Sequence, residues 1–170
     1  MAIGAVMLLT TGCSLYDSKQ TSLNNETPAT SSDAVLVDSE QDPNKNNTNL
    51  DLSDRNLDNL DISIFERTEL EMLTVSGNNL SGALPSQIGN LKNLKVLNVS
   101  NNNFTGVPAE IGQLSQLEIL DLSNNSLTGL PNELGNLKNL KTFNISGNEF
   151  SETDLNSIRE QLPDTEFIIN

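Results

Sequence analysis

Hydrophobic and polar residues alternate in short runs that recur along the chain at an almost constant interval. The main apolar series recurs every 23 or 24 residues, at Leu50, Leu73, Leu97, Leu120, Phe143 and Phe167. The residue two places after each member of this series is apolar as well, from Leu52 to Ile169. Because the side chains of a strand alternate between two faces, this pattern predicts one short strand per repeat, stacked in parallel.

An asparagine follows each central strand at a fixed offset, at Asn78, Asn102, Asn125 and Asn148. A side-chain amide both donates and accepts hydrogen bonds. We therefore predict a structural ladder in which these residues satisfy main-chain groups where the chain bends away from the sheet. Arg55 takes this place in the first run, which predicts an atypical turn that caps the N-terminal end.

Glycine and proline mark the outer side of each repeat. Gly82, Gly106 and Gly129 are predicted to let the backbone turn without a Cβ penalty. Pro85, Pro108 and Pro131 follow, and proline suits the start of a short helical or 3-10 turn. These turns are predicted to reach the core through the apolar pairs Ile88 and Leu91, Ile111 and Leu114, and Leu134 and Leu137.

The last repeat has a different outer element. Ser151 is predicted to start a helix, along which Leu155, Ile158 and Leu162 form one apolar face before Pro163 ends it. A final strand over 167–169 is predicted to close that end of the stack.

Together these positions spell LxxLxxLxLxxNxLxGxxP, with four strong copies between Leu70 and Asn148. The phrase resembles the leucine-rich repeats of plant receptors. The resemblance implies an α/β fold over 50–170: a solenoid with a parallel β-sheet on the concave face and short helical or 3-10 turns on the convex face. One repeat cannot bury its apolar edge alone, so the stack is the unit of stability. Proteins of this family mostly bind proteins or peptides, some bind glycans or lipids, and few are enzymes.

The first thirteen residues have a different character. An apolar run over 2–9 is followed by small residues and by Cys13, the only cysteine. The segment resembles a bacterial lipoprotein signal peptide, which implies that Cys13 is lipidated. It also implies a bacterial cell-envelope location by lipid anchor alone, at the outer membrane or cell surface. No basic residue precedes the run, which predicts a true start upstream of Met1. The alternative is an apolar N-terminus with an idle Cys13.

Residues 14–49 are rich in Ser, Thr, Asn and Asp and have few periodic apolar positions. Such a segment cannot bury enough apolar surface to offset its ordering entropy. It is predicted to be a disordered tether.

Charge and composition exclude several functions. The net charge is −14 and the nine Lys and Arg are scattered, so nucleic acid is not an expected partner. Histidine is absent, so the usual nucleophile and base pairs cannot be assembled, and the acids lack calcium-loop spacing. We predict a non-enzymatic protein without metal or cofactor.

The remaining candidate site is the concave face, formed by strand residues that point away from the core. Its charged column is Thr48, Glu71, Lys95, Glu118 and Lys141; its apolar strip is Met72, Val96 and Ile119, continued by Thr142; its third column is Asp51, Thr74, Asn98, Asp121 and Asn144. An apolar strip with a polar rim is typical of a protein interface, and we predict a protein or peptide ligand there. Simple strand propensity is the alternative explanation for the strip.

A second functional hypothesis is a structural or carbohydrate- and peptidoglycan-binding component of the envelope. It depends on exposed polar columns, including one of serines at Ser53, Ser76, Ser100, Ser123 and Ser146.

Overall fold

The computed structural model describes residues 47–170. The predicted signal segment with Cys13, and residues 14–46 of the predicted tether, lie outside the described residues.

Within residues 47–170, eight short strands make up two parallel sheets. Numbered along the chain, they are β1 Asn49–Asp51, β2 Met72–Thr74, β3 Ser81–Ala83, β4 Val96–Asn98, β5 Asn103–Gly106, β6 Ile119–Asp121, β7 Thr142–Asn144 and β8 Glu166–Ile168. The larger sheet has the order β1-β2-β4-β6-β7-β8. Its register places the predicted apolar series, from Leu50 to Phe167, side by side at the middle of every strand. The last strand lies one residue earlier than predicted.

Short helices form the opposite side of each repeat. In the described part of the chain they are four 3-10 helices, η1 Ile62–Glu66, η2 Ser86–Asn90, η3 Ala109–Gln113 and η4 Asn132–Asn136, and one α-helix, α1 Glu152–Gln161. η2, η3 and η4 each begin directly after one of the three prolines. The Ser151 side chain accepts a hydrogen bond from the Asp154 N–H and caps α1. The predicted solenoid with a parallel sheet and short outer helices is therefore confirmed.

The core is a single file of side chains between the larger sheet and the outer helices. Leu97, Leu120 and Phe143 from the sheet are fully buried, as are the outer residues Ile111 and Leu134. At the C-terminal end, the rings of Phe143 and Phe167 lie 5.6 Å apart. A core this thin explains how a chain with 35% hydrophobic residues still buries a complete interior.

The four ladder asparagines join consecutive repeats. The Asn102 Nδ2 donates to the carbonyl of Val75 in the preceding repeat and to the carbonyls of Val99 and Ser100 in its own. Its Oδ1 accepts the N–H of Leu80. The equivalent bonds recur at Asn78, Asn125 and Asn148. The carbonyls of Val75, Val99 and Leu122 are thereby each shared between two amides of adjacent repeats.

The backbone turns at a position that the sequence pattern did not single out. The residue before each ladder position has a positive φ: Asp54, Gly77, Asn101, Asn124 and Gly147. Of the three glycines predicted to make the turn, only Gly82 has a positive φ. The prediction for Gly106 and Gly129 is wrong, and Gly106 lies instead in β5, which pairs with β3 in the second sheet.

Candidate functional site

The concave face consists of the first and third residues of each strand in the larger sheet. In β2, β4 and β7 the middle residue is buried and its two neighbours are half-buried, so the alternation predicted from the sequence is present. Because the strands are in register, equivalent residues form straight columns across the sheet. Neighbours within one column are separated by the strand spacing of about 4.8 Å.

The apolar strip is continuous across three strands and is followed by Thr142 in the fourth. Met72 lies beside Val96, Val96 beside Ile119, and Ile119 beside Thr142. Ile119 is 41% exposed, an unusual exposure for a large aliphatic side chain. The sheet therefore presents an apolar row to solvent at the centre of this face.

The charged side chains in the column beside the strip form ion pairs with one another. The Lys95 Nζ lies 2.9 Å from a Glu71 carboxylate oxygen, and the Lys141 Nζ lies 2.5 Å from Glu118. The hydrogen bond from Lys141 lowers the pKa of Glu118 below its ordinary value, and the bond to Glu71 raises the pKa of Lys95. All four side chains are well exposed, so the pairs organise the face rather than stabilise the fold.

The third column has a structural role that sequence reasoning missed. The Oδ1 atoms of Asp51, Asn98, Asp121 and Asn144 each accept the N–H of the serine two residues later, at 2.9 to 3.2 Å. Such bonds end the strands in Asx turns. Hydrogen bonds from Ser53 also lower the pKa of Asp51. The recurring Asx-x-Ser triplet was the signal in the sequence that could have revealed these turns.

The predicted serine column is not an exposed surface. Ser100 and Ser123 are each only 5% exposed, so the prediction that they face a ligand is wrong. The Ser123 hydroxyl donates to Asp121 Oδ1 at 2.6 Å, and the Ser146 hydroxyl donates to Asn144 Oδ1 at 2.8 Å. These hydroxyls complete the Asx turns, which removes one of the polar columns on which the carbohydrate hypothesis depended.

Other kinds of site have little support within residues 47–170. No three His, Cys, Asp or Glu side chains there are grouped so that they could hold a metal ion. None of the helices in that range has the length and apolar character needed to span a bilayer.

A cavity of about 210 Å³ beside β3 is lined by Asp58, Asn59, Leu60, Leu80, Ser81, Ala83, Pro85 and Phe104.

Comparison with known proteins supports the fold. The sequence model for the leucine-rich repeat region matches residues 49–164. A leucine-rich repeat protein of Leptospira interrogans is 33% identical, with a TM-score of 0.60, over 72% of this chain and 37% of that one. The ectodomain of the receptor kinase SOBIR1 from Arabidopsis thaliana is 36% identical, with a TM-score of 0.58, over 71% of this chain and 67% of that one.

A third similar structure was solved with a bound partner. It is the ectodomain of the plant receptor kinase GASSHO1/SCHENGEN3 from Arabidopsis thaliana in complex with CASPARIAN STRIP INTEGRITY FACTOR 2. It is 38% identical, with a TM-score of 0.51, over 54% of this chain and 11% of that one. No curated protein matches the chain.

Proposed function

The chain belongs to the leucine-rich repeat family, and from this premise we propose that it is a non-enzymatic module whose concave face binds a protein or peptide. The fold is commonly a protein-binding scaffold. The observation that carries the proposal is the apolar strip of half-buried Met72 and Val96 and exposed Ile119, which lies between two polar columns. Apolar surface surrounded by polar groups is the arrangement of a protein interface with a hydrophobic core and a polar rim.

Two further features support a protein ligand. The similar GASSHO1/SCHENGEN3 ectodomain was solved in a complex with a named factor. Within this chain, the polar groups beside the strip already have partners: the lysine and glutamate side chains pair with each other, and the Asx side chains cap turns. A ligand would therefore gain mainly from covering apolar surface, and a large ligand surface suits that requirement.

Two substitutions should separate binding from folding. Threonine already occupies the strip in β7, so Met72→Thr combined with Ile119→Thr should preserve the sheet while removing apolar surface. Burial of one such side chain contributes roughly 1.5–3 kcal/mol, so we expect capture of the partner to fall by at least about tenfold. The measurement is a crosslinking pull-down of the full chain against envelope and host-surface extracts, with mass spectrometry to identify the captured protein.

Ile62→Thr is the matched control because Ile62 is 56% exposed but lies in η1, away from the sheet. Capture should be unchanged in this variant. Equal capture by the wild type and the double variant would refute binding at the strip. Sacculus pelleting of the same proteins would then test the carbohydrate hypothesis.

We also propose that the module is displayed on a bacterial cell envelope as a lipoprotein anchored through Cys13. The support is the apolar run followed by Thr11, Gly12 and Cys13, together with the similarity to a Leptospira protein. In cells grown with a labelled fatty acid, the wild-type chain should incorporate label and Cys13→Ser should not. Equal labelling of the two proteins, or no label in the wild type, would contradict the proposal.

A further inference from the structure

Asp121 is a carboxylate of the concave face whose charge the fold does not use. Asp121 ends β6 by accepting the N–H of Ser123 on Oδ1, and that bond needs only a neutral oxygen. Asn98 in the preceding repeat and Asn144 in the following repeat make the same bond with side-chain amides. An asparagine at 121 would therefore serve the turn equally well.

The charge of Asp121 also has no cationic partner within the described residues. Its Oδ2 accepts a bond of 3.2 Å from the neutral amide of Asn144, and its Oδ1 accepts from Ser123. Asp51 in the same column differs, because the Arg55 guanidinium donates to the Asp51 carbonyl at 3.0 Å and so lies close to its carboxylate. Asp121 is thus the carboxylate of this column that a ligand cation can best complement.

The basic side chains of residues 47–170 are occupied elsewhere. On the concave face, Lys95 and Lys141 pair with Glu71 and Glu118. Of the others, Arg55 donates to the Asp51 carbonyl, Arg67 pairs with Glu69, Lys92 donates to the Gln113 side chain, and Lys138 donates to the carbonyls of Gly135 and Gln161. Arg159 lies over the Phe167 ring. An anionic ligand would therefore have to displace existing pairs, while a cationic ligand would not.

The position of Asp121 relative to the strip defines what a ligand must carry. Asp121 and Ile119 are the third and first residues of β6, so both lie on the concave face, about 7 Å apart along the strand. We propose, building on the proposed function, that the ligand is a protein segment in which a lysine or arginine that pairs with Asp121 lies next to an apolar residue that covers Ile119. The charge of −14 on the chain would also speed the approach of such a segment.

Two synthetic probes test this assignment. One is a peptide of alternating leucine and lysine with blocked ends, of about eight residues, long enough to cross four strands at about 4.8 Å each. The other replaces every lysine by glutamate. Fluorescence anisotropy with the full chain should show binding of the lysine peptide and not of the glutamate peptide. Asp121→Asn should weaken the lysine peptide about tenfold, as expected for loss of one charge-assisted hydrogen bond.

Glu133→Gln is the matched control because it makes the same change of charge at an exposed site on η4. It should leave binding of the lysine peptide unchanged. Equal weakening by Glu133→Gln would mean that only bulk charge matters, which overturns the assignment. Failure of the lysine peptide to bind, or unaltered binding in Asp121→Asn, would overturn it as well.

The natural partner separates this inference from the proposed function. If the Met72→Thr, Ile119→Thr variant loses the partner and Asp121→Asn retains it in full, the concave face binds but its ligand is not cationic at this point. If the double variant retains the partner, the concave-face function itself is wrong.

Discussion

Replacing Asn102 by alanine should lower the free energy of unfolding by about 3 kcal/mol. The side chain is buried, and its removal leaves the Leu80 N–H without its hydrogen-bond partner. The Val75, Val99 and Ser100 carbonyls each lose the Asn102 donor but keep another one, from Asn78, Asn125 and the Gly77 N–H respectively. A buried polar group without a partner costs roughly 1–3 kcal/mol and each further lost hydrogen bond about 0.5–1.5 kcal/mol, which together give the expected total. Urea unfolding of the full chain, followed by circular dichroism, measures the change.

Asn79→Ala provides the comparison, since Asn79 lies beside the ladder residue Asn78 in the preceding turn but is exposed. Its effect should stay within about 0.5 kcal/mol, as for most surface substitutions. Asn102→Asp adds a second comparison because it keeps an acceptor for the Leu80 N–H and loses the donors. If Asn102→Ala were as mild as Asn79→Ala, the ladder would contribute little to holding adjacent repeats together.

The sequence predicts the parts of this fold that are repeated once per turn. The apolar series from Leu50 to Phe167 gives the middle of every strand of the larger sheet, because burial of one face imposes a spacing of two. The prolines mark the start of η2, η3 and η4 because a fixed φ suits that position. Both constraints act within one repeat, so their signals can be recognised in the amino-acid sequence.

Features that depend on contact between repeats are harder to predict. The pairing of β3 with β5 requires two segments that carry no strong strand signal, Ser81–Ala83 and Asn103–Gly106, to lie at the correct separation. Their pairing stops after two strands, although a similar phrase recurs over 126–130. A single repeat does not contain the information on how these segments lie relative to one another.

The candidate site shows the same division. Strand alternation was enough to predict which residues form the columns of the concave face, including Met72, Val96 and Ile119. It could not show that the neighbouring lysines and glutamates pair with each other, or that Ser100 and Ser123 are buried. Those properties follow from side-chain geometry between adjacent strands. With these contacts included, the candidate site is an apolar strip whose neighbouring polar side chains already have hydrogen-bond or ion-pair partners.

Replacing Gly112 by alanine should destabilise the protein by about as much as loss of the ladder amide, about 3 kcal/mol. Gly112 lies in η3 at the point where η3 packs against η4. A Cβ there would lie 2.7 Å from the Glu133 carbonyl carbon and would overlap the attached oxygen. Because these are main-chain atoms, they cannot rotate away, and the two repeats must move apart. Overpacking of this kind costs roughly 1–3 kcal/mol and occasionally more.

Gly129→Ala is the matched control for this substitution. Its Cβ would meet only the Asp154 Oδ2 at 3.8 Å, an ordinary contact, so the free energy of unfolding should change by less than about 0.5 kcal/mol. Gly135→Ala should fall between the two because its Cβ would meet the Gln161 side chain, which can rotate. Thermal and urea unfolding of the three variants should therefore rank Gly112, Gly135 and Gly129 in decreasing order of damage. If all three variants were equally stable, close approach of the outer helices would not be what fixes the distance between repeats.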